Sequence, residues 1–246
     1  MSPPDYLDSA PGRRLAFRHR RGRGPTLVFL PGYRSDMEGA KASALDKWAE
    51  ANGRAMLRFD YSGCGLSEGA FDDRTLAHWR DDSLAMIDRV EGPVILIGSS
   101  MGGWLMLLAA LARPGRVEAL VGIAAAPDFT DWGFDEAQKR ILCEEGRLEE
   151  PSPYGEGPYV TTRAFWESGE ALKLLQGPIA IRCPVRLLHG LEDREVPWQV
   201  SLRVIERLES ADARATLVKG GDHRLSRPAD IALLTDTVER LPDKDA

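Results

Sequence analysis

The sequence predicts an α/β fold: a mostly parallel central sheet with helices on both faces. Two observations predict it. Short apolar runs alternate with stretches of helical periodicity along most of the 246 residues. The central runs, such as Val94, Ile95, Leu96 and Ile97, are apolar at successive positions, as in strands covered on both sides. A chain of this length can bury a sizeable core.

Taken in order, residues 26–30 form a β-rich run stopped by Pro31-Gly32, and residues 39–52 read as a helix ended by Gly53. Residues 54–59 are the next strand, stopped by the loop 60–65. Residues 75–90 are amphipathic at helical spacing, with Leu76, Trp79, Leu84 and Ile87 on or near one face. An apolar strand, 93–97, leads into a buried helix, 104–112, and then a strand, 117–125. Strand 185–188, helix 198–208, strand 215–218 and a last helix from about 228 to 241 complete the alternation. Ser226 is the expected cap of that helix, with Pro228 in its first turn.

Two segments stand apart. The arginine cluster Arg13, Arg14, Arg18, Arg20, Arg21 and Arg23 surrounds Leu15-Ala16-Phe17 and reads as a solvated edge strand rather than a transit peptide. Between about 128 and 180 no clear strand is visible, and Trp132, Phe134, Tyr154, Tyr159, Phe165 and Trp166 lie among Gly, Pro and Glu. An insertion this long within a compact sheet suggests function. The expectation is one domain over 1–246, with a lid insertion at about 128–180.

Composition narrows the class. A net charge of -6 argues against nucleic acid as the main partner. The three cysteines, Cys64, Cys143 and Cys183, show neither a disulfide framework nor metal-ligand spacing and suggest a reducing compartment such as the cytoplasm. The first ten residues have no apolar core, so no secretory signal is expected. No apolar stretch reaches the roughly 18 residues of a membrane span. Oligomeric state is left open.

The chemistry centres on Gly98-Ser99-Ser100-Met101-Gly102. The five-residue pattern recurs by chance, but here it joins an apolar strand to an apolar helix, the setting of a nucleophile elbow. Ser100, flanked by glycines two residues to either side, is the candidate nucleophile, and Ser99 is its neighbour. Serine needs a base. Of the four histidines, His19 lies in the arginine-rich strand, His78 within a helix, and His189 at a strand end as a packed imidazole. His223, in Gly220-Gly221-Asp222-His223 after the last strand, is the candidate base. The acid that orients it is expected between serine and histidine. Asp193 fits, with Glu192 and Asp128 as competitors, and Asp222 reads as a loop-structuring carboxylate. Oxyanion donors are expected at the backbone N–H of Met101 and of Tyr33, whose side chain either lines the pocket or packs. Trp132, Phe134, Phe165 and Trp166 are candidates for burying an acyl chain or for the insertion's own core. No metal or organic cofactor is required.

Together, Pro31-Gly32-Tyr33, Asp60-Tyr61-Ser62-Gly63-x-Gly65-x-Ser67, Gly98 to Gly103, His189-Gly190-x-x-Asp193-x-x-Val196-Pro197 and Gly221-Asp222-His223 resemble the α/β-hydrolase superfamily along nearly the whole chain. Phe29-x-Pro31-Gly32-Tyr33-x-Ser35-x-Met37, Arg58 to Gly63, Gly98 to Met106 and Cys183-Pro184-x-Arg186 to Gly190 resemble in particular its mitochondrial palmitoyl-protein thioesterase and acyl-glucuronide esterase branch. The resemblance implies hydrolysis of esters or thioesters through an acyl-serine intermediate, on small-molecule or acylated-protein substrates. With no recognisable transit peptide, a bacterial, cytoplasmic relative is expected. The same fold also hosts lactonases, peptidases, carbon–carbon bond hydrolases and non-catalytic binding proteins, which remain the alternatives.

Overall fold

The computed structural model describes residues 3–10, 12–151 and 158–241, so Tyr154 lies outside the described residues. The chain opens with strands β1 (Asp5–Ala10), β2 (Arg13–Arg20) and β3 (Arg23–Leu30), then helix α1 (Ala40–Ala51) and β4 (Arg54–Phe59). Helix α2 (Leu76–Arg89), β5 (Val94–Ser99), α3 (Met101–Ala112) and β6 (Val117–Ile123) follow. Next come α4 (Phe129–Trp132), α5 (Glu136–Glu145), β7 (Arg147–Pro151), β8 (Pro158–Thr162) and α6 (Arg163–Glu170). The chain ends with β9 (Val185–Gly190), α7 (Gln199–Arg207), β10 (Ala213–Val218) and α8 (Pro228–Glu239).

Among the described residues, eight strands form one sheet in the order β1-β2-β4-β3-β5-β6-β9-β10. β2 runs antiparallel to both β1 and β4, and every later neighbour is parallel. One face buries α2, α3 and α7 through Trp79, Trp104 and Val204. The other buries α1 and α8 through Leu45, Ala49, Leu234 and Val238. The middle strands are therefore covered twice, which is why β5 is buried at all six positions. No described helix is long and apolar enough to cross a membrane.

Three expectations need correction. The arginine-rich segment is not the edge strand: β1 pairs outside it, leaving Leu15, Ala16 and Phe17 at 1% exposure or less. Two of its arginines find carboxylates, Arg18 on Glu38 at 2.7 Å and Arg20 on Asp46 at 3.1 Å. The insertion contains strands after all: β7 and β8 form an antiparallel pair whose Glu- and Thr-rich sequence lacks a clear apolar alternation. Ser226 does not cap α8. Arg227 stands at that position, and its guanidinium pairs with Asp230 at 2.8 Å.

Candidate active site

The β5–α3 junction sets the geometry of the site. Ser100 has φ 54°, a left-handed conformation that a serine enters only when its surroundings impose it. Two glycines make the turn possible. A Cβ on Gly98 would overlap the backbone of Gly102, and one on Gly102 would overlap the carbonyl oxygens of Leu30 and Pro31. Helix α3 begins at Met101, immediately after Ser100, and earlier than periodicity suggests because Gly102 and Gly103 carry no apolar signal.

The end of β3 approaches from the side. The Cβ that Gly32 lacks would sit 3.3 Å from the Ser100 Cβ, so the backbone of residues 31–33 passes close to the hydroxyl. The loops after β9 and β10 converge from the other direction. Gly190 lies against Gly221, and the Glu192 N–H donates to the Gly221 carbonyl at 2.9 Å. This contact binds the loop carrying Asp193 to the loop carrying His223.

Ser100, His223 and Asp193 are thereby brought into one line. His223 Nε2 lies 3.1 Å from Ser100 Oγ, and His223 Nδ1 lies 2.8 Å from Asp193 Oδ2. An anionic Asp193 requires the proton on Nδ1 and leaves Nε2 as the acceptor for the serine. Both N–H groups of Glu195 and Val196 donate to Asp193 Oδ1 at 2.9 Å. Burial alone would raise the Asp193 carboxyl, but hydrogen bonds from His189, His223 and Val196 outweigh it and hold it well below the usual carboxylate range.

The competitors for the acid role sit elsewhere. Asp128 accepts from the Leu174 and Leu175 N–H groups at 2.8 Å each, fastening the insertion's end rather than a histidine. Asp222 accepts from the Leu225 N–H at 3.0 Å, as its loop-structuring reading expects. His78 belongs to the capping box of α2. His189 is buried and hydrogen-bonded.

A cavity of about 420 Å³ opens beside Ser100, within the range of small-molecule sites. Its described lining includes Gly32, Tyr33, Lys41, Ser99, Tyr159, Glu195 and His223. Tyr33 lines the cavity and also packs, its ring 5.0 Å from Phe71 and 5.3 Å from Phe165. Its hydroxyl donates to the Val160 carbonyl at 3.2 Å, and burial pushes its pKa up to about 12.

Trp132, Phe134, Phe165 and Trp166 are absent from the described lining. Phe165 is 2% exposed in the aromatic cluster, while the indoles of Trp132 and Trp166 donate to the carbonyls of Pro127 and Thr130. The insertion reaches the cavity through Tyr159 instead.

Lys41 was missed by sequence reasoning, because a lysine on an amphipathic helix reads as solvated. In the structure its ammonium donates to the Arg224 carbonyl inside the cavity wall. Burial lowers its pKa to about 8, only partly opposed by Asp222.

Residues 27–232 match the model of the alpha/beta hydrolase family, and the chain belongs to that family. It is 45% identical over 245 residues to the mouse protein named palmitoyl-protein thioesterase ABHD10, mitochondrial, covering 97% of this chain and 82% of the relative. The human protein of the same name is 44% identical over 235 residues, covering 94% and 77%. The solved structure of mouse alpha/beta hydrolase domain-containing protein 10 matches with a TM-score of 0.93 and 42% identity over 100% of both chains. A crystal structure from Agrobacterium vitis S4 matches at 0.87 and 40% identity over 92% of each chain.

These relatives overturn one expectation. The proteins that match 94–97% of this chain are named as mitochondrial, which conflicts with a cytoplasmic location. The physical reason is that free cysteines report a reducing environment and cannot tell one reducing compartment from another.

Proposed function

We propose that this chain is a serine hydrolase cleaving carboxylic ester and thioester bonds, with Ser100 as nucleophile, His223 as base and Asp193 as orienting acid. The observation that carries the proposal is the pair of contacts on one imidazole, 3.1 Å to Ser100 Oγ and 2.8 Å to Asp193 Oδ2. The relatives named as palmitoyl-protein thioesterases point to acylated proteins or small acyl esters as substrates.

In this mechanism His223 Nε2 takes the Ser100 proton as Oγ attacks the acyl carbon. The oxyanion is received by the N–H groups of Tyr33 and Met101, which the backbone hydrogen-bond network leaves without acceptors among the described residues. His223 then gives its proton to the departing alcohol or thiol, leaving an acyl-serine ester. Water, deprotonated by the same nitrogen, cleaves that ester and restores Ser100. Neither a metal nor an organic cofactor takes part. The insertion at about 128–180 acts as a lid within one domain.

A specific observation favours acyl glucuronides among the small substrates. Lys41 offers a cation in the cavity wall whose hydrogen bond goes to an uncharged acceptor, the Arg224 carbonyl. A leaving group bearing a carboxylate would supply a charged one.

The test is fluorophosphonate labelling followed by a panel of graded p-nitrophenyl esters, acyl thioesters and acyl glucuronides. We expect labelling at Ser100 and turnover of ester or thioester. An unlabelled wild-type protein, or one that cleaves only peptide bonds, would overturn the proposal.

A further inference from the structure

We infer that His189, which takes no part in the proposed reaction, positions Asp193 and thereby His223. The inference rests on the reading of Ser100, His223 and Asp193 given above.

His189 ends β9 and is fully buried. Its Nε2 faces two acceptors, the Val196 carbonyl at 3.0 Å and Asp193 Oδ2 at 3.2 Å. Its Nδ1 lies 2.7 Å from the hydroxyl of Ser201 in α7. Two acceptors against one nitrogen require the proton on Nε2, and in the neutral ring Nδ1 then accepts from Ser201.

That single proton supports Asp193 in two ways. It closes the turn 193–196 by bonding the Val196 carbonyl, while the Val196 N–H of the same residue donates to Asp193 Oδ1 at 2.9 Å. It also presents a positive edge to Oδ2, the oxygen that receives His223 Nδ1. Asp193 thus lies between two imidazoles, one exposed to the cavity and one anchored through Ser201 to a helix. Without His189 the Val196 carbonyl, on a residue only 4% exposed, loses its donor. The turn is then free to shift, and the His223 ring shifts with it.

The test begins with fluorophosphonate labelling of wild-type Ser100, which examines the underlying reading by itself. In labelled-competent wild type, ¹⁵N chemical shifts of the histidines are expected to show His189 as the Nε2–H tautomer. The opposite tautomer would overturn the inference without any variant. His189→Leu is expected to lower kcat by about 10- to 100-fold with KM changed less than about threefold. It should also shift or remove the low-field proton resonance of His223 Nδ1–H. His189→Gln supplies an amide donor toward Asp193 and Val196 and an oxygen for Ser201, and should recover most of the loss. A folded His189→Leu with wild-type kcat and an intact low-field resonance would overturn the inference. If the leucine variant does not fold, His189→Gln decides: a folded protein lacking the low-field resonance would likewise overturn it, and one retaining it supports it.

Discussion

Gly102 in the first turn of α3 faces the carbonyl oxygen of Leu30 at the end of β3 so closely that a Cβ would overlap it, leaving no room for a side chain. The turn carrying Ser100 and the loop carrying the Tyr33 N–H are therefore held at a fixed spacing by the absence of one methyl group. Gly102→Ala is expected to cost about 2–4 kcal/mol of stability and to reduce kcat more than it raises KM. Thermal melting and steady-state kinetics together check it.

Ser100→Ala should abolish fluorophosphonate labelling and lower kcat/KM by about 10⁴-fold or more, while the melting temperature stays near wild type. A labelled alanine variant would move the nucleophile to another residue.

Asp193→Asn and Asp128→Asn separate the two buried carboxylates. The first removes the charge that fixes the His223 tautomer and should lower kcat/KM by roughly 10³- to 10⁴-fold. The second keeps one acceptor oxygen but loses one of the two bonds to Leu174 and Leu175, costing about 1–3 kcal/mol of stability. Equal kinetic losses would contradict the assignment of Asp193.

Lys41→Met should raise KM for acyl glucuronides more than for neutral esters. The ammonium is charged below its pKa of about 8 and neutral above it. Wild-type preference for anionic leaving groups therefore fades as pH rises through 8, and the variant lacks that dependence. Because burial disfavours the charged form, the methionine variant should also melt slightly higher than wild type at pH 7.

Phe165→Ala should destabilise the protein by about 3–5 kcal/mol, since the ring is packed among Tyr33, Trp79 and Phe129. Substituting Trp132 or Trp166 should leave acyl-length preference unchanged, whereas Tyr159→Ala should alter it. A graded ester series reads all three.

Much of the sheet was legible because its strands announce themselves: Val94 to Ile97 and Arg54 to Phe59 are uninterrupted or sharply bounded. The line of Ser100, Asp193 and His223 was legible because each lies just after a strand, Ser100 and His223 in glycine-rich turns and Asp193 in the turn after His189-Gly190. The insertion was not. Among the described residues, strands β7 and β8 pair only with each other, so their residues carry no sign of a covered sheet. The aromatic side chains of the insertion advertise burial without saying against what, and Phe165 turned toward the core while Tyr159 turned toward the cavity. Lys41 was invisible for a different reason: its surroundings come from the loop around Arg224, 183 residues further along the chain.

The Tyr33 hydroxyl and the Arg34 guanidinium both donate to the carbonyl of Val160. Because that acceptor belongs to the main chain, the contact does not depend on the chemistry of the side chain at position 160, but moving the β8 backbone would disturb both donors at once. The insertion is thus not an interchangeable module. Grafting another protein's segment in its place to change selectivity would also loosen the neighbouring loop, and such chimaeras should lose turnover even on substrates their new segment accepts. Directed evolution of this scaffold would do better to vary side chains along the hairpin and keep its trace.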